Sequence, residues 1–318
     1  MAKQKPSADS LPILLSGATG FIGGHIQAVM RDAGVPVRAL VRSGSANRSR
    51  LLAGTEAIVA ELDDSSALAR ALEGTRAVVY AAGTVRGRDL DAFLGANVRG
   101  VEALVKALDT LTEPPPVLLI SSLAASEPAL SHYACSKAQG EQVLMAATAL
   151  NWTILRPPAV YGPGDVEMRP LLAAIRRGLA PRPGPASQRI ALIHGRDVAL
   201  AVLAWLGETQ ACRHGLFAID DGHGGYGWTE LATLARSGRA RIVPVPPWLL
   251  GLLGTINLAL ARVLRYAPML TPGKARELQH ERWLCDNSAF TRLTGWRPQV
   301  SLAEGVSALF DRDAAQTR

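Results

Sequence analysis

Ile13-Leu14-Leu15-Ser16-Gly17-Ala18-Thr19-Gly20-Phe21-Ile22-Gly23-Gly24-His25 stands near the start of this 318-residue sequence. It reads as an apolar strand that runs into a Gly-x-x-Gly-x-x-Gly turn and then into a helix over Ile26–Ala33. Glycines permit the tight turn and let the backbone come close to a pyrophosphate. The helix that follows aims its first amides and the positive end of its dipole at the phosphates. Glycine triplets collect in many turns, but one set between a buried strand and a helix marks a dinucleotide site.

Outward from that turn, short apolar runs alternate with helical patterns. Ile13–Leu15, Val35–Val41, Ala57–Ala60, Ala77–Ala81, Val117–Ile120 and Thr153–Leu155 are strand-like, with helices such as Asn97–Leu108 between them. Alternation of this kind predicts right-handed crossovers and a buried parallel sheet, a doubly wound α/β fold. Pro114-Pro115-Pro116 ends the helix before the fifth strand, since proline cannot continue one. From about Pro157 the composition shifts toward proline, glycine and arginine, and helical segments dominate, Glu167–Gly178, Asp197–Leu206 and Trp228–Arg236 being the clearest. The expected organisation is a loose tail over 1–10, a dinucleotide-binding core over 11–160, and a substrate-binding lobe over 161–318 with some segments returning to the core.

A content of 48% hydrophobic and 19% charged residues describes a globular chain able to bury a full core. The polar stretch Met1–Ser10 lacks the apolar centre of a signal peptide, so a cytoplasmic protein is expected, as a monomer or homodimer. Cys135, Cys212 and Cys285 are far apart and odd in number, which supports neither a disulfide framework nor a zinc site. The net charge of +7 suits an anionic cofactor, an anionic membrane surface or nucleic acid. Arg42, Arg48, Arg50, Arg169, Arg176, Arg177 and Arg182 are scattered without interleaved aromatics, so a nucleic-acid partner is not expected and a small-molecule substrate is.

Ser131-His132-Tyr133-Ala134-Cys135-Ser136-Lys137 supplies the chemistry. At a spacing of four on a helix, Tyr133 and Lys137 project from one face, so the ammonium can lie near the phenol and favour its ionised form. A phenol must be brought toward working pH to move protons, and a nearby cation does this. Cys135 follows Tyr133 by two and points to another face, where packing is its expected role.

The spacing of Gly17, Gly20 and Gly23, with Tyr133 and Lys137 downstream, resembles the extended branch of the short-chain dehydrogenase/reductase superfamily. That branch includes sugar-nucleotide epimerases, dihydroflavonol reductases and 3-beta-hydroxysteroid dehydrogenases. Further matches follow in family order: Leu62-Asp63-Asp64, Tyr80-Ala81-Ala82-Gly83, Asn97-Val98-Arg99-Gly100, Ile120-Ser121-Ser122, Leu155 to Asp165, and Ile193 to Ala199. The resemblance implies a Rossmann sheet with a smaller, mostly helical C-terminal lobe over the nicotinamide end of the cofactor. It also implies a triad of Ser122, Tyr133 and Lys137. In the family the tyrosine exchanges a proton with the substrate oxygen, the lysine lowers the tyrosine's pKa and holds the nicotinamide ribose, and the serine hydrogen-bonds the substrate carbonyl. Ser121 is the rival for the serine role; Ser122 is preferred because the family's serine usually stands last in the pair.

Carried over in the same way, the cofactor contacts are Gly17, Thr19, Gly20, Phe21, Ile22, Gly23, Arg42, Glu61, Leu62, Ala81, Ala82, Gly83, Asn97, Tyr133, Lys137 and Pro157, with no metal. The end of the second strand, Arg38-Ala39-Leu40-Val41-Arg42-Ser43, has no Asp or Glu until Glu56. An acid there would bind the ribose of NAD and an arginine the 2'-phosphate of NADP, so NADP(H) is favoured over NAD(H) through Arg42, with Arg38 an ordinary strand residue. Glu61 stands where the family often has an Asp near the adenine. Asp64 reads equally as a helix cap ahead of Ser65. His132 and His194 read as structural, and Gln188-Arg189 loosely resembles the segment with which epimerases hold a nucleotide diphosphate.

Tyr133 comes eleven positions after Ser122, a shorter loop than the branch usually has. Leu123-Ala124-Ala125 lacks the Thr-Asp-Glu pattern of the sugar-nucleotide dehydratases, which disfavours dehydration. Trp248–Leu264, the most apolar run, is shorter than the ~20 residues of a membrane span. A buried lobe helix that walls an apolar pocket is expected for it, and a weak peripheral membrane contact with Arg262 and Arg265 at the headgroups is the second reading. The function expected first is an NADP(H)-dependent oxidoreductase that reduces a carbonyl or oxidises a secondary alcohol of a fairly apolar small molecule. The alternatives are a nucleotide-sugar epimerase with tightly held NAD, and a non-catalytic NAD(P)-sensing or assembly protein.

Overall fold

Ile13, Leu14 and Leu15 expose no surface at all, so their strand must be flanked on both edges and covered on both faces. The computed structural model, which describes residues 10–316 apart from Ser45, shows how. The tail expected over 1–10 lies, Ser10 excepted, outside the described residues.

The first six strands, β1 (Ile13–Ser16), β2 (Val37–Val41), β3 (Glu56–Val59), β4 (Ala77–Tyr80), β5 (Val117–Ile120) and β6 (Trp152–Arg156), fall on or within two residues of the six apolar runs. Shorter strands follow: β7 (Ala159–Tyr161), β8 (Leu179–Arg182), β9 (Arg189–Ile190), β10 (Leu192–His194), β11 (Gly215–Ala218), β12 (Tyr226–Gly227), β13 (Arg241–Pro244) and β14 (Arg282–Trp283). Seven of these form one parallel sheet in the order β11-β6-β5-β4-β1-β2-β3. The winding direction reverses between β1 and β4, and in such sheets the crevice at the carboxyl ends of the two reversing strands is the ligand site.

The helices are α1 (Phe21–Asp32), α2 (Ser65–Leu72), α3 (Asp91–Leu94), α4 (Gly100–Asp109), α5 (His132–Ala146), α6 (Arg169–Arg176), α7 (Gly195–Gly207), α8 (Trp228–Leu231), α9 (Pro247–Leu264), α10 (Pro272–Gln279), α11 (Ser288–Thr294) and α12 (Leu302–Gln316). Successive strand side chains point to opposite faces, so β1 feeds two cores. Ile13 and Leu15 pack with Ile26 and Met30 of α1 and with Val198, Val202 and Trp205 of α7. Leu14 packs on the other face with Leu68 and Leu72 of α2, Leu104 and Leu108 of α4 and Leu144 of α5. Helix α7 and strand β11 therefore belong to the layers of the main sheet although they follow residue 161. A third core, around Tyr161, Leu172, Ile175, Trp228 and Leu302, holds the mostly helical C-terminal lobe. Asp197 on α7, fully buried, accepts from the Gln299 and Val300 amides at 3.0 Å each and ties the lobe's last segment to the sheet.

Three helices differ from their sequence expectation. The run Asn97–Leu108 splits into a π-helical turn, Gly95–Arg99, and α4. The pattern Trp228–Arg236 gives only α8 and a short 3-10 turn, Ala232–Leu234. Trp248–Leu264 is helical as α9, but it is not a buried core helix: Leu250, Gly254 and Ala261 alone are buried. The lobe packs along one side of α9, and apolar residues all round the helix leave the rest uncovered.

Candidate active site

The glycine turn is built by steric need. Gly17 has φ +70°, and a Cβ on it would lie 2.7 Å from the Ala81 carbonyl and the Ala82 nitrogen. A Cβ on Gly23 would meet the Gly17 oxygen at 2.0 Å. The turn thus presses against the end of β4, where the Ala82 amide donates to Ser16 Oγ at 3.2 Å. Gly20 caps α1 without a side-chain hydrogen bond, and the first turn carries no acid. A helix start of that kind, with Thr19 and Phe21 beside it and Ile22 packed under it, suits a pyrophosphate.

At the neighbouring strand ends, Arg42 is exposed just past β2. Glu61, just past β3, accepts from the Ser43 amide at 3.1 Å, so a carboxylate reaches the rim of the adenosine end from the next strand. Leu62 packs onto the second core beside Tyr80. Asp64 is the N-cap of α2, accepting from the Ala67 amide at 2.9 Å, which is the capping alternative. Arg38 pairs with Glu56 at 2.8 Å along the sheet.

Asn97 is buried in its π turn, and its amide is fully used. Nδ2 donates to the Thr84 carbonyl at 3.1 Å and to Ser136 Oγ at 2.9 Å, and Oδ1 accepts from the Thr84 amide at 3.0 Å. The Asn97 carbonyl comes so near α5 that a Cβ on Gly140 would lie 2.0 Å from it. This bulge locks the loop after β4 to α5, and a Cβ on Gly83 in that loop would stand 3.1 Å from Asn97 Oδ1 and 3.9 Å from Lys137 Nζ.

Lys137 is buried, with Nζ donating to the Ile120 carbonyl at 2.9 Å. Burial pulls its ammonium down to about 8, with Glu141 opposing. Ser122 begins the 3-10 turn Leu123–Ser126, and its Oγ accepts from the Ala124 amide at 3.2 Å. Tyr133, in the first turn of α5, has its phenol beside Ser122. Burial pushes the phenol up to about 12, the neighbouring Ser122 hydroxyl pulls against that, and Glu277 adds to the rise. The sequence predicts a phenol drawn down by Lys137; desolvation by burial raises it instead. Ser121 is engaged elsewhere: its hydroxyl donates to Glu141, whose carboxylate also takes Arg156 Nε at 2.9 Å. Pro157, buried past β6, closes the floor by accepting the Leu123 amide at 2.8 Å.

Sequence reasoning missed one wall. Helix α10, capped by Thr271, sets Lys274 Nζ 5.9 Å from the centre of the Tyr133 ring. Lys274 also donates to Glu277 at 2.7 Å, and Glu277 accepts from Ser131, the N-cap of the tyrosine helix. Arg276 donates to the Leu130 carbonyl at 2.9 Å. Phe93 of α3 stands on another side, 6.2 Å from the tyrosine ring. The Thr271-Pro272 start and the Lys274/Glu277 spacing announce a helix, but nothing local says it docks on Tyr133.

The two histidines differ in their surroundings. His194 caps α7 through Nδ1 and lies edge-on to His25 and Tyr161, while His132 is exposed at the start of α5. Gln188 is buried and committed to the Leu278 and His280 carbonyls and to Trp228 Nε1, and Arg189 donates to the Gly225 carbonyl.

Comparison with known proteins agrees with this layout. Residues 13–217 match the model of the NAD dependent epimerase/dehydratase family. The chain is 31% identical to the ceramide reductase of Caulobacter vibrioides over 94% of its own length and 90% of the relative's. It is 28% identical to the 2-alkyl-3-oxoalkanoate reductase of Stenotrophomonas maltophilia, covering 96% of this chain and 100% of that one. Among solved structures, the Thermus thermophilus UDP-glucose 4-epimerase in complex with NAD superposes with a TM-score of 0.68 at 21% identity, over 95% of this chain and 98% of that one. A dinucleotide turn at the switch point, a family model over most of the chain and a full-length relative give one conclusion: this chain is an NAD(P)-dependent enzyme of the NAD dependent epimerase/dehydratase family, within the extended short-chain dehydrogenase/reductases.

Proposed function

We propose that the protein is an NADPH-dependent ketoreductase acting on a long-chain, apolar substrate with a ketone near a polar head. The observation that carries the reading is the placing of the Tyr133 phenol beside Ser122 at the end of β5, with Lys137 one helical turn on and held by the Ile120 carbonyl. NADPH, when bound along Gly17, Gly20 and Gly23, supplies the hydride to the carbonyl carbon. Ser122 donates a hydrogen bond to the ketone oxygen and orients it. Tyr133 gives that oxygen its proton as negative charge develops there, and the tyrosinate left behind recovers a proton from solvent. Lys137, charged below about 8, stabilises the tyrosinate and can hold a ribose hydroxyl. A phenol pushed up to about 12 by burial rests in its protonated form, which is the form a reductase needs.

Arg42 supports NADP(H), since an exposed guanidinium at the end of β2 can pair with a 2'-phosphate. The substrate class is supported by relatives named for reducing a ceramide and a 2-alkyl-3-oxoalkanoate. Gln188 and Arg189, already committed to the lobe's own backbone, give little to a nucleotide diphosphate, which weighs against an epimerase. Purified protein with NADPH and a long-chain 3-oxo amide or 3-oxoalkanoate should consume cofactor and yield the 3-hydroxy product by mass spectrometry. Interconversion of UDP-sugars without NADPH consumption would overturn the reading.

A further inference from the structure

We infer that α9 is a membrane-docking helix that lies in the headgroup plane of an anionic bilayer. It is the one helix among the described residues that is long and apolar enough to cross a membrane, yet it is held lengthwise against the protein. Leu250, Gly254 and Ala261 form its inner stripe, and a Cβ on Gly254 would meet Thr271 and Pro272 backbone atoms at 2.8–2.9 Å. Asn257 Nδ2 donates to the Leu270 carbonyl at 2.8 Å. The opposite face carries Trp248, Leu252, Leu253, Ile256, Leu260, Val263 and Leu264, all exposed, with Trp248 at 69% and Val263 at 78%. Soluble surfaces rarely leave so large an apolar patch uncovered.

Charge selects the occupant. From Leu231 to Arg276 there is no Asp or Glu, and the seven bases Arg236, Arg239, Arg241, Arg262, Arg265, Lys274 and Arg276 equal the chain's whole net charge of +7. Arg262 and Arg265 stand exposed at the C-terminal end of α9, and Arg239 and Arg241 lie exposed on the segment that leads into it. An apolar face rimmed by cations and free of acids matches anionic lipid, each base near the surface adding about fivefold in partitioning. A second copy of the chain would bring the same positive rim against itself. The helix is also close to the active site, because the inner side of α9 packs on α10, whose Lys274 stands over Tyr133. A bilayer under α9 would sit one helix away from the reacting group.

Flotation of the purified full-length protein with phosphatidylcholine vesicles, with and without phosphatidylglycerol, tests this. Binding is expected at low salt to the anionic vesicles, weakened at least ~10-fold by Leu252→Asp with Ile256→Asp, and weakened by Arg262→Glu with Arg265→Glu. Both pairs alter exposed side chains, and NADPH titration checks that each variant is folded. As a measurement without destabilising changes, bromo-lipids should quench tryptophan fluorescence of the wild-type protein, and Trp248→Phe should remove most of that quenching. Wild-type protein that ignores anionic vesicles, variants that float as well as it does, or a self-association in ultracentrifugation that Leu252→Asp abolishes while no vesicle binds, would each overturn the assignment.

Discussion

Ser121 donates its hydroxyl hydrogen bond to Glu141, while its neighbour Ser122 stands beside the Tyr133 phenol. Two adjacent serines at the end of β5 thus have divided duties, one to the frame and one to the reacting group. Ser121→Ala should leave the buried Glu141 carboxylate short of a donor and cost about 1–3 kcal/mol of stability with kcat nearly unchanged. Ser122→Ala should keep the melting temperature and lower kcat by about 10- to 100-fold. Thermal melts and initial rates on both variants check the division.

Gly17→Ala should fail on two counts, a Cβ in a left-handed backbone and a clash at 2.7 Å with the end of β4. NADPH affinity should fall at least ~10-fold as the loops at the ends of β1 and β4 separate. Gly24→Ala is the control, because a Cβ there meets nothing within 4 Å. Calorimetric titration of both variants separates turn geometry from helix propensity.

Lys137 predicts a pH signature. Its ammonium, pulled down to about 8, is charged below that pH and neutral above it, so the KM for NADPH should rise as pH climbs through about 8. Tyr133, near 12, contributes no titration in that range. The sign for stability is separate: a lysine depressed by folding binds more protons unfolded, so stability should increase with pH from about 8 toward its ordinary 10.5. Lys137→Met should flatten both profiles.

Arg42→Ala should reduce the preference for NADPH over NADH by about 10- to 100-fold, since a charge-assisted pair with the 2'-phosphate is lost. Glu61, reaching across from β3 to the Ser43 amide, should then act for NADH. Glu61→Gln is expected to leave NADPH binding intact or tighter, as a carboxylate near the 2'-phosphate disappears. Competitive titration of the two cofactors reads both effects.

The sheet was legible in the sequence because its causes are local. Buried parallel strands must be apolar throughout, so Ile13–Leu15, Ala77–Ala81 and Val117–Ile120 announce themselves, and the glycine turn follows from backbone sterics. The helical lobe was harder. The pattern at Trp228–Arg236 has the right residues for a helix, but α8 stops after Leu231 where the chain tightens into a 3-10 turn. Asn97 sits in a π turn because its side chain is taken up by Thr84 and Ser136, partners distant in sequence. Lys274 and Glu277 reach the tyrosine only through the docking of α10. For α9, hydropathy reports that a face is apolar and says nothing of what covers it.

In the proposed hydride reduction, Tyr133 delivers the proton. Tyr133→Phe removes the hydroxyl and little else, since the ring keeps its place beside Phe93 and Lys274. The decisive measurement is the pair kcat and NADPH dissociation constant for this variant, taken on the 3-oxo substrate that the wild-type protein turns over. A fall in kcat of about 100- to 10,000-fold is expected, with cofactor affinity held within about twofold. A phenylalanine variant that keeps most of its turnover would contradict it.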